Sequence, residues 1–184
     1  MDATDIPESI RTERLLLRAW RDADALLLLP ILESNGERLA RWIPPHVALP
    51  APVPELQARL SAFADDFHAE RACRYGIFAQ DESELYGEID LFFRSETGRV
   101  HLPMADRVEI GYWLRDDVTG RGYATEAARA MLSLARRLPG MRRVEIRCDS
   151  RNAPSMAVAE RLGFHRAAES VGSFDVTWTL SLTS

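Results

Sequence analysis

The chain has 184 residues, 46% of them hydrophobic and 28% charged, with a formal net charge of −5. That length suits one ordinary domain, large enough to bury a core without metal or disulfide staples, and the acidic balance argues against a broad basic footprint for nucleic acid or an anionic membrane. All 23 positive residues are Arg, which excludes a catalytic lysine, a Schiff base and a Walker A loop.

The polar, acidic start from Met1 to Glu13 is unlike a signal peptide, and the expected compartment is the cytoplasm. Leu15-Leu16-Leu17 reads as a first strand. Asp22 is placed to cap a helix that runs through a leucine-rich stretch to about Ser34, with Asn35-Gly36 as its stop and Pro30 expected to kink or divide it. The apolar run Leu26 to Leu32 inside this stretch is far too short to span a bilayer. Five prolines between 44 and 54 predict a loop. Leu56, Leu60, Phe63 and Phe67 then fall on one face of a helix from about Pro54 to Arg71.

Tyr75 to Gln80 and Leu85 to Arg94 flank the polar turn Asp81-Glu82-Ser83-Glu84, the pattern of a hairpin. A looser segment, Ser95 to Ala105, leads to a strand over Arg107 to Arg115. Ala124, Ala128, Met131, Ala135 and Leu138 form the buried stripe of a helix from Tyr123 to Leu138, which Gly140 ends. Arg143 to Cys148 is another strand, and a short helix begins near Pro154 and stops at Gly163. The last strand, Phe174 to Leu182, alternates Phe174, Val176, Trp178, Leu180 and Leu182 against Asp175, Thr177, Thr179 and Ser181. The expected class is mixed α/β, a single domain built on a mainly antiparallel sheet with one strand–helix–strand crossover over residues 107 to 148. Cys73 and Cys148 lie far apart, and no grouped His/Cys spacing suggests zinc.

The richest segment is the strand Val108 to Leu114 followed by Gly120-Arg121-Gly122-Tyr123-Ala124-Thr125-Glu126-Ala127. A strand feeds a glycine turn, and the turn opens a helix. Glycine lets the backbone approach a ligand, and the first amides of a helix lack internal partners and carry partial positive charge. Together they suit phosphate, with Arg121 placed to add a charge-assisted bond; a plain strand–helix turn is the alternative. A Rossmann fingerprint is a poor match: Thr125 stands at its third glycine, and the candidate ribose carboxylate, Glu145, sits mid-strand.

Thr119-Gly120-Arg121-Gly122-Tyr123-Ala124 resembles the turn Gln/Arg-x-x-Gly-x-Gly/Ala of the GNAT superfamily of acetyl-CoA-dependent N-acetyltransferases, departing from it only at Thr119. The longer strings Glu-Ile-Gly-Tyr-Trp-Leu and Gly-Arg-Gly-Tyr-Ala-Thr-Glu-Ala are similar to the branch that acetylates ribosomal-protein N-termini, the RimJ/RimL type. So are Arg-Thr-Glu-Arg-Leu-Leu-Leu-Arg near the start, Asn152-x-x-Ser155 and Leu162-Gly163-Phe164. The resemblance runs from Arg11 to Leu182. It implies a GNAT-like fold, acetyl-CoA as cosubstrate without a metal, and transfer to a primary amine by direct attack without an acyl-enzyme. The acceptor would be a protein N-terminus or a small amine; pairing into a homodimer is common among relatives, and no nucleic-acid or membrane partner is expected. A non-catalytic CoA-binding module is the rival from another class.

On this reading the amides of Gly120 to Thr125 hold the pyrophosphate. The strand from Gly111 through Tyr112, Trp113 and Leu114 splays from the next strand and pairs with the pantetheine arm. Gly111 marks a bulge or a close backbone approach. Glu109 shares a face with Gly111 and Trp113 and is the candidate base, or else a surface or ion-paired carboxylate; Glu88 and Asp90 are in reserve. The family's frequent Tyr acid is replaced by Ala159, so Ser155 is the candidate partner of the leaving thiol, with helix capping as its alternative. Asn152 holds the arm or caps the helix. Trp42 lines the acceptor cleft or packs in the core; Trp20 and Trp178 are expected in the core. His46, His68, His101 and His165 receive no role. Thr125-Glu126 is expected to serve the helix terminus and its dipole.

Overall fold

The computed structural model describes residues 6–167 and 175–182. Among them are nine strands in one sheet: β1 (Ser9–Arg11), β2 (Leu15–Ala19), β3 (Ala72–Ala79), β4 (Leu85–Ser95), β5 (Gly98–Arg99), β6 (Arg107–Leu114), β7 (Arg143–Asp149), β8 (His165–Arg166) and β9 (Asp175–Ser181). Five helices flank it: α1 (Ala25–Leu39), α2 (Pro45–Ala48), α3 (Val53–His68), α4 (Tyr123–Ala135) and α5 (Ala153–Arg161). The sheet order is β1-β2-β3-β4-β6-β7-β9-β8, with β5 on the margin of β4. Every pairing is antiparallel except β6 with β7, because α4 carries the chain back across the sheet between those two strands. This is the expected class and crossover. Phe174 lies outside the described residues.

Strand alternation sends side chains to two separate cores. One face presents Leu15, Leu17, Ile89, Leu91, Val108, Ile110, Val144 and Ile146 to Ala127, Ala128, Met131 and Ala135 of α4 and Val158 and Ala159 of α5. The other sets Leu16, Phe78 and Trp113 against Leu28 and Leu32 of α1 and Leu56 and Leu60 of α3. Trp20 belongs to this second core and Trp178 to the first.

The structure corrects several expectations. Helix α1 is neither divided by Pro30 nor stopped at Asn35-Gly36. Leu28, Ile31, Leu32 and Leu39 are buried on both sides of the proline, so packing overrides its local cost of about 3 kcal/mol. Asn35 and Gly36 are buried inside the helix. Asn35 Oδ1 accepts from the Asp116 amide at 2.8 Å and so ties α1 to the turn after β6. Gly36 is small because the Ala48 carbonyl lies 3.0 Å from where its Cβ would be. Asp22 sits in a 3-10 turn before α1 rather than at its cap. The start of the helix is fixed by Asp24, whose carboxylate accepts both terminal nitrogens of buried Arg18, at 2.7 and 2.8 Å. The proline-rich loop contains α2, and α3 already begins at Val53. The segment Ser95 to Ala105 contains β5 and a 3-10 turn, Leu102–Met104. Strands β1 and β8 are short additions at the two sheet edges.

Candidate active site

The central feature is a parting of two strands. β6 pairs with β4 along its whole length, from Arg107↔Arg94 to Leu114↔Gly87. Its pairing with β7 covers only Arg107↔Arg143 to Ile110↔Ile146. β7 then continues with β9 as far as Asp149↔Asp175. On the β7 side, Gly111 to Leu114 therefore have no strand partner among the described residues. The register of β6 on β4 is unbroken at Gly111, so Gly111 is not a bulge; the irregularity in this part of the sheet is between Ile77 and Phe78.

At the open end of this gap stands the glycine turn. Gly120 has φ +74° and Gly122 φ +82°, left-handed conformations that favour glycine. Gly122 is the N-cap of α4, and no side chain caps that end, so its first amides are free to bind an anion. A cavity of about 920 Å³ joins turn and gap. Its lining includes Thr119, Gly120, Gly122, Tyr123, Ala124 and Thr125 of the turn, Tyr112, Trp113 and Leu114 of β6, and Asn152 and Ser155 at α5. Arg121 is absent from that lining; its Nη2 donates to the Asp117 carbonyl at 3.0 Å.

On the side of α4 and α5, two hydroxyls meet in the gap. Tyr112 OH lies 2.9 Å from Ser155 Oγ, and it also donates to the Ser155 carbonyl, 3.2 Å away. Burial pushes the Tyr112 phenol up to about 12, against the opposing effect of the Ser155 bond. Asn152 caps α5: its Oδ1 accepts from the Ser155 amide at 3.3 Å. The Ser155 hydroxyl is thereby left for Tyr112. Ala159, at the expected Tyr position, is fully buried in the core. The Cys148 thiol, beside Ser155 and Trp178, is raised by burial, and that of Cys73 is pushed up to about 12 for the same reason.

Glu126 stands in the first turn of α4, where its charge suits the helix dipole as expected, and it has a second job. Its carboxylate accepts from Thr12 Oγ1 at 2.6 Å, the Arg14 amide at 2.8 Å and Arg14 Nε at 2.7 Å. Partial burial raises this carboxyl, but the bonds from Thr12 and Arg14 outweigh it and hold it below its ordinary value. The clamp brings Arg14 to the glycine turn. Arg14 Nη1 donates to the Arg121 carbonyl at 2.9 Å, its guanidinium lies 4.7 Å over the Tyr123 ring, and its Nη2 is 3.4 Å from where a Cβ on Gly122 would be. Arg14 is the cation that sequence reasoning missed. Its only signal was membership of the Arg-Thr-Glu-Arg block, since its nearness to residue 122 is long-range.

The opposite face of β6 is built from charge. Trp113, Arg38, Leu39, Trp42 and Ile43 line this part of the cavity, with Trp42 40% exposed. Arg38 Nη2 donates to the Leu114 carbonyl at 2.7 Å. Beneath Trp113, buried Glu88 accepts from Trp20 Nε1 at 2.9 Å and from Arg74 at 3.3 Å. Burial raises its carboxyl despite Arg74 and the two indoles, and it raises Asp90 further, with repulsion from Glu88 added. Glu109 shares the face of Gly111 and Trp113 but lies outside the cavity lining. It is held between Arg94 Nε at 2.5 Å and Arg147 Nε at 3.4 Å, which is the ion-paired alternative. Glu145, paired with Glu109 in register, bonds to Arg143 and Arg147 and reaches no ligand site.

Comparison with known proteins agrees with this geometry. The family model described as "Acetyltransferase (GNAT) domain" matches residues 14–165. The probable N-acetyltransferase YjcK of Bacillus subtilis is 28% identical over 59% of this chain and 56% of its own length. The [ribosomal protein uS5]-alanine N-acetyltransferase of Escherichia coli is 27% identical over 85% of this chain and 78% of its own. Among solved structures, that of RimL, a ribosomal L7/L12 alpha-N-protein acetyltransferase in complex with coenzyme A, superposes with a TM-score of 0.77 at 23% identity, covering 95% of this chain and 98% of that one.

Proposed function

This chain belongs to the GNAT acetyltransferases, and on that premise we propose that it moves the acetyl group of acetyl-CoA to the α-amine of a protein N-terminus in the cytoplasm, by direct attack. The observation that carries the proposal is the end of β6–β7 pairing at Ile110 and Ile146, beside an uncapped helix start. A strand edge there suits the amides of a pantetheine arm, and the amides from Gly120 to Thr125 suit a pyrophosphate. Acetyl-CoA supplies an activated acyl carbon and a thiolate leaving group.

The side chains have supporting tasks. A simple thiol has a pKa of about 8.5, so the departing sulfur needs a hydrogen-bond donor more than a strong acid. Tyr112 and Ser155 offer that donor, and the phenol, pushed up to about 12, keeps its proton. The hydroxyl missing at Ala159 thus has a counterpart on β6. Both thiols are raised, which speaks against a cysteine nucleophile.

The acceptor class follows from proton affinity. An α-amine has a pKa of about 7.7–8, a lysine side chain about 10.4. Near neutral pH roughly a tenth of the first is free base, but far less than a hundredth of the second. The uS5-alanine and L7/L12 enzymes act, by their names, on ribosomal proteins, and an N-terminus of that kind is the acceptor proposed here.

Acetyl-CoA, a panel of N-terminal peptides and a panel of small amines, followed by thiol release and product mass, test the reading. Acetylation at a peptide α-amine is expected. Turnover of small amines alone overturns the acceptor; coenzyme A bound without turnover of any amine indicates a binding module; no binding by calorimetry overturns the whole.

A further inference from the structure

Attack on a thioester requires an amine without its third proton, so some group must take that proton. We propose that Asp90, which packs directly behind the side-chain-free Gly111, takes the proton from the acceptor's ammonium; this rests on the acetyl-transfer reading above. Asp90 is 6% exposed and stands directly across from Gly111 in the β4–β6 register. A Cβ at Gly111 would lie 3.6 Å from Asp90 Oδ2 and 3.3 Å from the Phe92 ring. With glycine there, no side chain of that residue stands between the β6 main chain and the Asp90 carboxylate. Gly111 is itself half-buried, and it is the first residue of β6 past the last pair with β7.

The neighbouring carboxylates have closer cations. Glu88 has its indole and guanidinium donors, and Glu109, whose Oε2 is also buried without a hydrogen bond, has Arg94 at 2.5 Å and Arg147 at 3.4 Å. Among the described residues Asp90 Oδ1 is buried with no hydrogen-bond partner, and Arg74 Nη1 lies 3.6 Å from Oδ2, an ion pair beyond hydrogen-bond reach. A buried acceptor without a donor is rare in a folded protein and calls for an explanation; the same carboxylate turns its other oxygen, Oδ2, toward Gly111, where an arriving ammonium would supply a donor.

The surroundings also set its proton affinity. Burial raises the Asp90 carboxyl well above its ordinary value, and Glu88 on its own strand and Glu109 on β6 add to the rise. Arg74 on β3 and Arg99 on β5 oppose it. From α3, Arg59 acts on Glu88. Such a carboxylate accepts a proton closer to neutrality than a solvated one.

The proton count closes. The ammonium gives one proton to the Asp90 carboxylate, and its lone pair forms the nitrogen–carbon bond. The carbon–sulfur bond breaks with its electron pair on sulfur, and a second nitrogen proton ends on the thiolate. Asp90 then returns its proton to water, so one proton is released per acetyl group moved.

The test uses the full chain, acetyl-CoA and a hexapeptide with N-terminal alanine. Asp90→Asn is expected to lower kcat about 100-fold or more, to remove the acid limb of kcat/KM, and to leave acetyl-CoA affinity by calorimetry unchanged. Asp90→Glu, which keeps a carboxyl should the Asn variant fail to fold, is expected to retain the limb with a shifted midpoint. A kcat within about threefold of wild type in Asp90→Asn, a wild-type midpoint in Asp90→Glu, or loss of the limb in Glu109→Gln overturns the assignment. Wild-type protein that acetylates no amine at all overturns the reading beneath it instead.

Discussion

The two sides of β6 near its end solve recognition by different means. Toward α4 and α5 the surface is main chain: the unpaired edge from Gly111 to Leu114 and the uncapped amides of α4, with two neutral hydroxyls between them. Toward α1 and α3 it is side-chain charge: Glu88, Asp90 and Glu109 among Arg74, Arg94, Arg99 and Arg147. Backbone recognition tolerates many side chains but fails when φ and ψ change. Charge recognition tolerates changes in nearby conformation but fails when one carboxylate is neutralised. The same division separates the tasks proposed here, cosubstrate on the first side and amine on the second.

The largest effect should come from bending the main chain. In Gly122→Val, a β-branched residue at φ +82° carries about 1–3 kcal/mol of strain. It also re-aims amides whose bonds to a charged group are worth about 1.5–3 kcal/mol each. Acetyl-CoA affinity by calorimetry should fall about 30–100-fold. Gly140→Val sharpens the contrast: φ there is +76°, yet Gly140 is not among the cavity-lining residues. It should lower Tm similarly and leave affinity untouched. Equal affinity losses in the two variants would mean that strain alone, and not the amide cradle, sets binding. Next in size is Ser155→Ala. It should lower kcat about 10-fold with little change in acetyl-CoA affinity, and adding Tyr112→Phe should cost less than the product of the single effects, because the two hydroxyls act as one unit. Full multiplicativity, measured in steady state, would separate them.

The same division explains what could be read from the sequence. The glycine turn was legible because φ above zero demands glycine wherever the fold places it, and Gly120 and Gly122 print that demand directly. The crossover and the buried stripe of α4 were legible from local period. Arg14 was not: it reaches the turn only through the long-range clamp from Thr12 and Arg14 to Glu126. For Glu109 the face was correct, since Gly111 and Trp113 do share it. Its neighbours were invisible, because Arg94 and Arg147 come from strands on either side. Asn35-Gly36 misled for a related reason. A local stop signal was overridden by tertiary contacts, Asn35 with Asp116 and Gly36 with Ala48.

Breaking the clamp that joins the N-terminal strands to the cosubstrate side should cost stability before it costs chemistry. Glu126 has a depressed pKa in the folded chain, so its contribution is present above the unfolded value of about 4.3. That contribution is lost as pH falls through the lower, folded value. Glu126→Gln should lower Tm by about 3–6 °C at pH 7, from about 1–2 kcal/mol of lost charge-assisted bonding, with a smaller deficit in acid. A Tm difference that stays constant from neutral pH to pH 3 would show that the carboxylate's charge has no part in the clamp.

The smallest effect is expected where sequence alone placed the base. Glu109→Gln removes a charge that Arg94 and Arg147 already balance, so kcat at its pH optimum should change by less than about threefold. The variant still reports on the charged face. Glu109 is one of the groups that raise Asp90, so its neutralisation should move the acid limb of kcat/KM to lower pH while leaving the limb in place. A rise in the limb would contradict the repulsion between the two carboxylates. An unmoved limb would mean that the group titrating in catalysis is too far from Glu109 to be Asp90, and the charged side of β6 would then need a different proton acceptor.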